Sequence, residues 1–93
     1  MLRSYIAFDI ETTGLNPMEN EIIEIGALKV REGRVAERFM EFIHPASPIS
    51  PMITELTGIT NKMIEGARSR SQVVSDFLDF CGDLPLLGHN ILF

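Results

Sequence analysis

The sequence predicts an α/β fold. Three observations carry that reading. The chain opens on an apolar, strand-forming segment that ends in acidic residues. Two further runs of strand formers follow, joined by a tight glycine-containing link. After a proline-rich loop the pattern switches to helix caps with helical apolar spacing, and then returns to a short apolar run.

Tyr5 to Ile10 is apolar, and residues 4–11 read as a buried strand that delivers carboxylates at its C-terminal end. Gly14-Leu15-Asn16-Pro17 reads as a turn. Ile22 to Val30 is a second strand. Arg31-Glu32-Gly33-Arg34 turns the chain, with Gly33 free to take a positive φ. Val35 to Ile43 is a third strand, in which Val35, Glu37, Phe39, Glu41 and Ile43 alternate against Ala36, Arg38, Met40 and Phe42. So short a link predicts antiparallel pairing. Pro45, Pro48 and Pro51 forbid regular structure through residues 44–50. Ser50 caps a short helix with Pro51 at its first position, and Gly58 stops it. Thr60 is placed to cap a second short helix reaching about Glu65. Ser69 and Gln72 have capping-box spacing ahead of a third, whose apolar stripe is Val73, Val74, Phe77, Leu78 and Cys81 and whose stop is Gly82. Leu86 to Gly88 is expected to form a fourth strand, parallel to the first.

At 93 residues the chain has room for one small domain, and 45% hydrophobic with 23% charged residues excludes a disordered tail. The net charge of −5 argues against gripping nucleic acid by overall charge, yet an acidic protein can act on phosphodiesters when metal ions supply the positive charge. One cysteine excludes an internal disulfide and a cysteine-based zinc site. The apolar runs are too short to span a membrane, and Asp9 and Glu11 interrupt the N-terminal segment before it reaches signal-peptide length. A reduced, soluble, cytoplasmic protein is expected.

Asp9 and Glu11 stand two apart on the first strand, so their side chains leave on one face. Neighbouring carboxylates repel each other and raise each other's pKa unless a cation lies between them, and the spacing suits Mg²⁺ or Mn²⁺. Ile6, Ala7, Phe8 and Ile10 imply a partly buried setting in which unpaired carboxylates are costly. Asp-x-Glu alone is a common triplet. Thr12-Thr13-Gly14-Leu15 adds hydroxyls, backbone N–H groups and an apolar wedge beside it, although the same residues also read as a plain strand exit with Leu15 as a core plug. Glu24 reads as a solvated or hydrogen-bonded strand carboxylate, with an outer role near the metal as the alternative. His44 reads as a turn residue, Cys81 as core, Arg68 and Arg70 as solvated, and Met52 and Met63 as helix-packing residues.

Phe8-Asp9-Ile10-Glu11-Thr12-Thr13-Gly14-Leu15 resembles the first motif of the DEDD superfamily (DnaQ-like) of 3′→5′ exonucleases. Ile22 to Ala27 is similar to the strand that follows it. Ile49 to Met63, with Leu56-Thr57-Gly58-Ile59-Thr60, is similar to the helical segment of the bacterial replicative proofreaders, and Gly88 to Phe93 resembles the start of the second motif, His-Asn-x-x-Phe-Asp. The likeness is greatest to the epsilon-subunit and PolC-type exonuclease domains of DNA polymerase III. It implies an RNase H-like fold, of which residues 1–93 would be the N-terminal part of a single exonuclease domain. It also implies two-metal phosphodiester hydrolysis, with the two Mg²⁺ or Mn²⁺ ions about 3.5–4 Å apart. On this resemblance Asp9 would bridge both ions and Glu11 would hold the nucleophile-side ion. Thr12, Thr13, Gly14 and Leu15 would hold the terminal nucleotide, with His89 and Phe93 against its sugar and base. The partner would be a nucleic acid with a free 3′ end, DNA in replication proofreading, together with polymerase subunits.

The family's second-motif Asp would follow Phe93, and its third motif, with a His or Tyr base and a last metal-binding Asp, lies beyond the sequence. The 93 residues alone are therefore expected to be inactive or nearly so, and to self-associate through an open sheet edge and face. The rival readings are an RNA exonuclease of the RNase T or oligoribonuclease kind, and a non-catalytic module that binds nucleic acid or a polymerase partner.

Overall fold

The computed structural model describes residues 3–88. The elements run β1 (Tyr5–Thr12), β2 (Ile22–Arg31), β3 (Arg34–Phe42), α1 (Pro51–Thr57), α2 (Arg70–Cys81) and β4 (Leu86–Gly88). They build one sheet of order β3-β2-β1-β4, antiparallel except that β4 runs parallel to β1. This is the α/β arrangement the sequence predicts.

The β2–β3 link is a two-residue turn. Arg31 faces Arg34, and Glu32 and Gly33 both take positive φ, 50° and 78°. Two left-handed residues in succession match the right-handed twist of the flanking strands, and glycine meets that demand without steric cost. Two β-bulges re-aim side chains. Glu37 pairs with Lys29 but Val35 with Val30, so Ala36 is the extra residue and the alternation expected along β3 reverses there. Glu11 pairs with Glu24 but Thr12 with Ile22, so Ile23 is extra in β2. That second bulge sends Ile22 and Ile23 into different clusters.

The even-numbered residues of β1 build the main core. Ile6, Phe8 and Ile10 pack with Ile25, Ala27 and Phe39 of the neighbouring strands against Val73, Phe77 and Cys81 of α2. The Phe77 ring lies 5.6 Å from that of Phe8 and 5.7 Å from that of Phe39, within the range of favourable tilted aromatic pairs. The buried stripe of α2 is narrower than its sequence suggests. Leu78 is 58% exposed, because the sheet beneath the helix is engaged by Val73, Phe77 and Cys81, with Val74 and Phe80 partly buried at the sides. A second cluster, Ile23, Ile49, Ile53, Ile59 and Ile64, closes the segment around α1.

The caps act as their chemistry requires. Ser50 accepts from the Ile53 N–H, and Gly58 ends α1 at φ 79°. Ser69 and Gln72 complete a capping box on α2. The helix expected over residues 60–65 is instead a run of turns, with bonds from Met63 N–H to Thr60 O, Glu65 N–H to Lys62 O and Ala67 N–H to Ile64 O. Ile59 and Ile64 are both buried in one cluster. Five residues apart on a helix they would point about 140° away from each other, so burying both draws the chain out of helical geometry. Met52 and Met63 do not pack as expected either. They are 72% and 47% exposed, since α1 is short and buries only Ile53, and Met63 sits in the run of turns rather than on a helix.

Candidate active site

Alternation along β1 decides the site. Since Ile6, Phe8 and Ile10 face α2, the side chains of Ala7, Asp9 and Glu11 leave from the opposite face of the sheet. Among the described residues no helix covers that face around Asp9. It holds a shallow concavity of about 560 Å³ lined by Ala7, Asp9, Gly26, Leu28, Arg38 and Met40. Asp9 is therefore exposed rather than partly buried as its apolar neighbours in sequence suggest, and Glu11 is half-buried. The Asp9 Oδ1 accepts the Ile10 N–H at 2.9 Å.

Across the sheet Glu11 stands directly opposite Glu24, whose other neighbour is Phe42. Burial first, and then the charge of Asp9, raise the pKa of Glu11 above its ordinary value. Burial, then Glu11, then Asp9 do the same to Glu24. Glu24 is thus a half-buried strand carboxylate rather than a fully solvated one. It belongs to a concentration of negative charge at this end of β1 and β2.

The loop after β1 folds back on itself. The Thr13 N–H donates to Glu21 O at 2.9 Å, and the Glu21 N–H donates to the Thr13 Oγ1 at 2.9 Å. The Thr13 hydroxyl donates in turn to Asn20 Oδ1 at 3.2 Å, and the Thr12 hydroxyl donates to Gly14 O at 2.6 Å. Both threonine side chains are thus committed to shaping the loop. A Cβ on Gly14 would stand 2.6 Å from the Asn20 amide group, so glycine here admits the side chain that holds Thr13. Leu15 is 91% exposed and is not a core plug. Met18, which no motif in the chain singles out, is 90% exposed on the same loop. His89 and Phe93 lie outside the described residues.

Elsewhere, the exposed His44 is no local turn residue: it donates from Nδ1 to Ile64 O at 3.0 Å and from its backbone N–H to Arg68 O at 3.0 Å, tying its loop to residues 64–68. Arg68 is not merely solvated: it bridges Asp76 at 2.7 Å and Glu41 at 3.4 Å, joining α2 to β3. Cys81 is core, and burial pushes its thiol up.

The exonuclease family model matches residues 6–93. This chain belongs to that exonuclease family. Its similar proteins include two described as DNA polymerase III PolC-type. That of Streptococcus mutans is 46% identical over 90 residues, and that of Latilactobacillus sakei is 47% identical over 89; the alignments cover 97% and 96% of this chain. The chain spans about 6% of the length of each. Exonuclease X in complex with 5′ overhanging duplex DNA superposes with a TM-score of 0.76 at 26% identity, covering 92% of this chain and 48% of that one. Exonuclease I shares the fold, with a TM-score of 0.80 at 18% identity over 97% of this chain and 22% of that one. The expected RNase H-like exonuclease fold is thereby established.

Among the described residues no group of three or more His, Cys, Asp or Glu side chains is arranged to surround a metal ion. Asp9 and Glu11 nonetheless fit Mg²⁺ or Mn²⁺ by their chemistry. Such ions take hard oxygen donors, keep several waters, and often use only one or two carboxylates together with substrate phosphates. Burial, and after it the charge of Asp9, disfavour the charged form of Glu11, and a cation between the two carboxylates would offset both.

Proposed function

We propose that this chain is the N-terminal part of a single 3′→5′ exonuclease domain acting on DNA ends, in the setting of a PolC-type replicative polymerase in the cytoplasm. One observation carries the reading. Asp9 and Glu11 project from the uncovered face of β1, directly before a loop that is locked internally and presents Leu15 to solvent. Divalent-metal dependence is general in this family, and Asp9 and Glu11 are the residues here that would hold Mg²⁺ or Mn²⁺. When bound, such ions supply an activated water and offset the charge that develops on the phosphate. The chain's own part is positioning. Thr12 and Thr13 hold the loop in shape, Gly14 lets it close, and Leu15 offers an apolar surface for the terminal nucleotide, with His89 and Phe93 as further contacts. Contacts to backbone and base faces rather than base edges give selectivity for a free 3′ end rather than for a sequence.

Titration calorimetry with Mn²⁺ tests the metal pair: the chain gives a binding heat that Asp9→Ala removes, and equal heats from both would sink the proposal. Polarity and substrate are read in a polypeptide joining residues 1–93 to the second and third motif segments of a PolC-type relative. It shortens a DNA strand with a free 3′ hydroxyl and spares one blocked there. Preference for a ribose strand would overturn the DNA assignment in favour of an RNA exonuclease. Metal binding without any hydrolysis would favour a non-catalytic binding module.

A further inference from the structure

An exonuclease with a net charge of −5 must bring a polyanion to an acidic site, and its positive charge is not spread evenly. Five of the eight basic residues, Arg3, Lys29, Arg31, Arg34 and Arg38, gather at the turn end of the β2–β3 hairpin, whose residues 29–38 hold only Glu32 and Glu37 as acidic groups. The rest of the chain holds three basic against eleven acidic residues. Arg3 is tied to Glu32 at 3.4 Å and Lys29 to Glu37 at 3.1 Å. Arg31, Arg34 and Arg38 are exposed and lack an acidic partner within ion-pair distance among the described residues.

Arg31 and Arg34 face each other across the turn, and like charges directly opposite destabilise a hairpin. Protection of an exposed sheet edge would explain basic residues on β3, the edge strand, but not Arg31 on the inner strand β2. Arg31 and Arg34 continue the face of Ile6, Lys29 and Glu37, whereas Arg38 leaves from the face of Asp9, so the hairpin carries free basic groups on both of its faces. Arg38 pairs with Leu28 and lines the concavity that Asp9 also lines. Asp9 pairs with Gly26, five residues before Arg31 on β2, so the hairpin tip stands roughly 17 Å from the carboxylates along the sheet. About five base pairs of duplex span that distance.

We propose that the turn end of the β2–β3 hairpin is a docking site for the nucleic-acid backbone, with Arg38 contacting phosphates from the face of Asp9 and Glu11 and Arg31 and Arg34 contacting them from the other face of the ribbon, upstream of the end held at Asp9 and Glu11. The inference rests on the proposed nuclease reading for the identity of its partner, but its contacts need no metal. Anisotropy of a labelled duplex with a 3′ overhang, measured with divalent ions chelated, tests it. Three phosphate contacts give a slope of about −2.7 in log K against log salt, hence roughly 40-fold weaker binding between about 50 and 200 mM salt. Arg31→Gln/Arg34→Gln removes two contacts and relieves the like-charge pair without harming the fold. It is expected to lower affinity at least about tenfold at low salt and to reduce the slope to about −0.9, while its melting temperature is unchanged or higher. Asp9→Ala is expected to keep the hairpin-dependent binding, so failure of the metal site and failure of the docking site are read separately. No binding by the wild-type chain at low salt, or equal affinity and slope in the double variant, would overturn the proposal. Equally tight, Arg31/Arg34-dependent binding of polyglutamate would reassign the surface to an acidic protein partner.

Discussion

The three carboxylates at the end of β1 and β2 set an electrostatic cost that the fold carries when no cation is present. Glu11 and Glu24 both have pKa values raised above 4.5, which means their charged forms are disfavoured in the folded chain. The sign follows by linkage. Each contributes most to stability below its ordinary pKa, and the contribution is lost as pH rises through the higher folded value. In metal-free buffer Glu24→Gln should therefore raise the melting temperature at pH 7 and should flatten the decline of stability with rising pH. The gain should vanish below pH 4.5, where the native Glu24 is also protonated. Both groups are partly solvated, which screens the effect, so an upward shift of at most about 4 °C is expected by calorimetry or circular dichroism. No shift at pH 7, or a fall, would contradict the assignment. Asp9 and Glu11 were legible in the sequence because one strand carries both and alternation alone sets their shared face. Glu24 was not. Its place opposite Glu11 depends on the β1–β2 register, which is set across a nine-residue loop rather than by a tight turn, and on the bulge at Ile23.

Among the secondary-structure elements, those with local chemical stop and start signals were the readable ones. Ser50, Pro51 and Gly58 bound α1, and Ser69, Gln72 and Gly82 bound α2, because a cap is decided within four residues of chain. The run of turns at residues 61–66 has a cap signal at Thr60 as well, yet the demand that Ile59 and Ile64 enter one cluster prevails over it. The alternation of β3 was legible as far as Glu37 and then fails at Ala36, since a bulge is settled between strands and leaves little trace in either one. The α2 capping box gives a direct test. Ser69→Ala leaves the Gln72 N–H without its acceptor and is expected to cost about 1 kcal/mol. In a domain of this size that lowers the melting temperature by about 4–8 °C, measured by thermal denaturation. Because α2 supplies Val73, Phe77 and Cys81 to the core beneath β1, a change near zero would mean that packing rather than the cap holds the helix start.

The sheet as a unit is covered on one side and open on the other. α2 seals the face that holds Ile6, Phe8 and Ile10, while Ala7, Gly26, Leu28 and Met40 line a concavity with no element over it among the described residues. Met40 is 66% exposed, and β4, at the opposite edge from β3, exposes Leu86 and Leu87 by 51% and 54%. Apolar groups grouped on a sheet face, rather than scattered singly, gain from burial at about 25 cal/mol per Å². The repulsion of a net charge of −5, with Asp9, Glu11 and Glu24 at one end of this face, opposes association, and Arg38 at the rim offsets part of it. Attraction should prevail at moderate salt, where charge repulsion is screened beyond about 10 Å. The 93-residue chain is accordingly expected to sediment as a dimer or larger species whose mass falls on dilution. Met40→Glu, which places a charge on the open face of an edge strand without entering the core, should return it to a monomer whose melting temperature no longer depends on protein concentration. A strictly monomeric wild-type profile at high concentration would show that this face does not pair with itself. An oligomer that Met40→Glu leaves intact would place the contact elsewhere, and the exposed edge at Leu86 and Leu87 would be the next surface to charge.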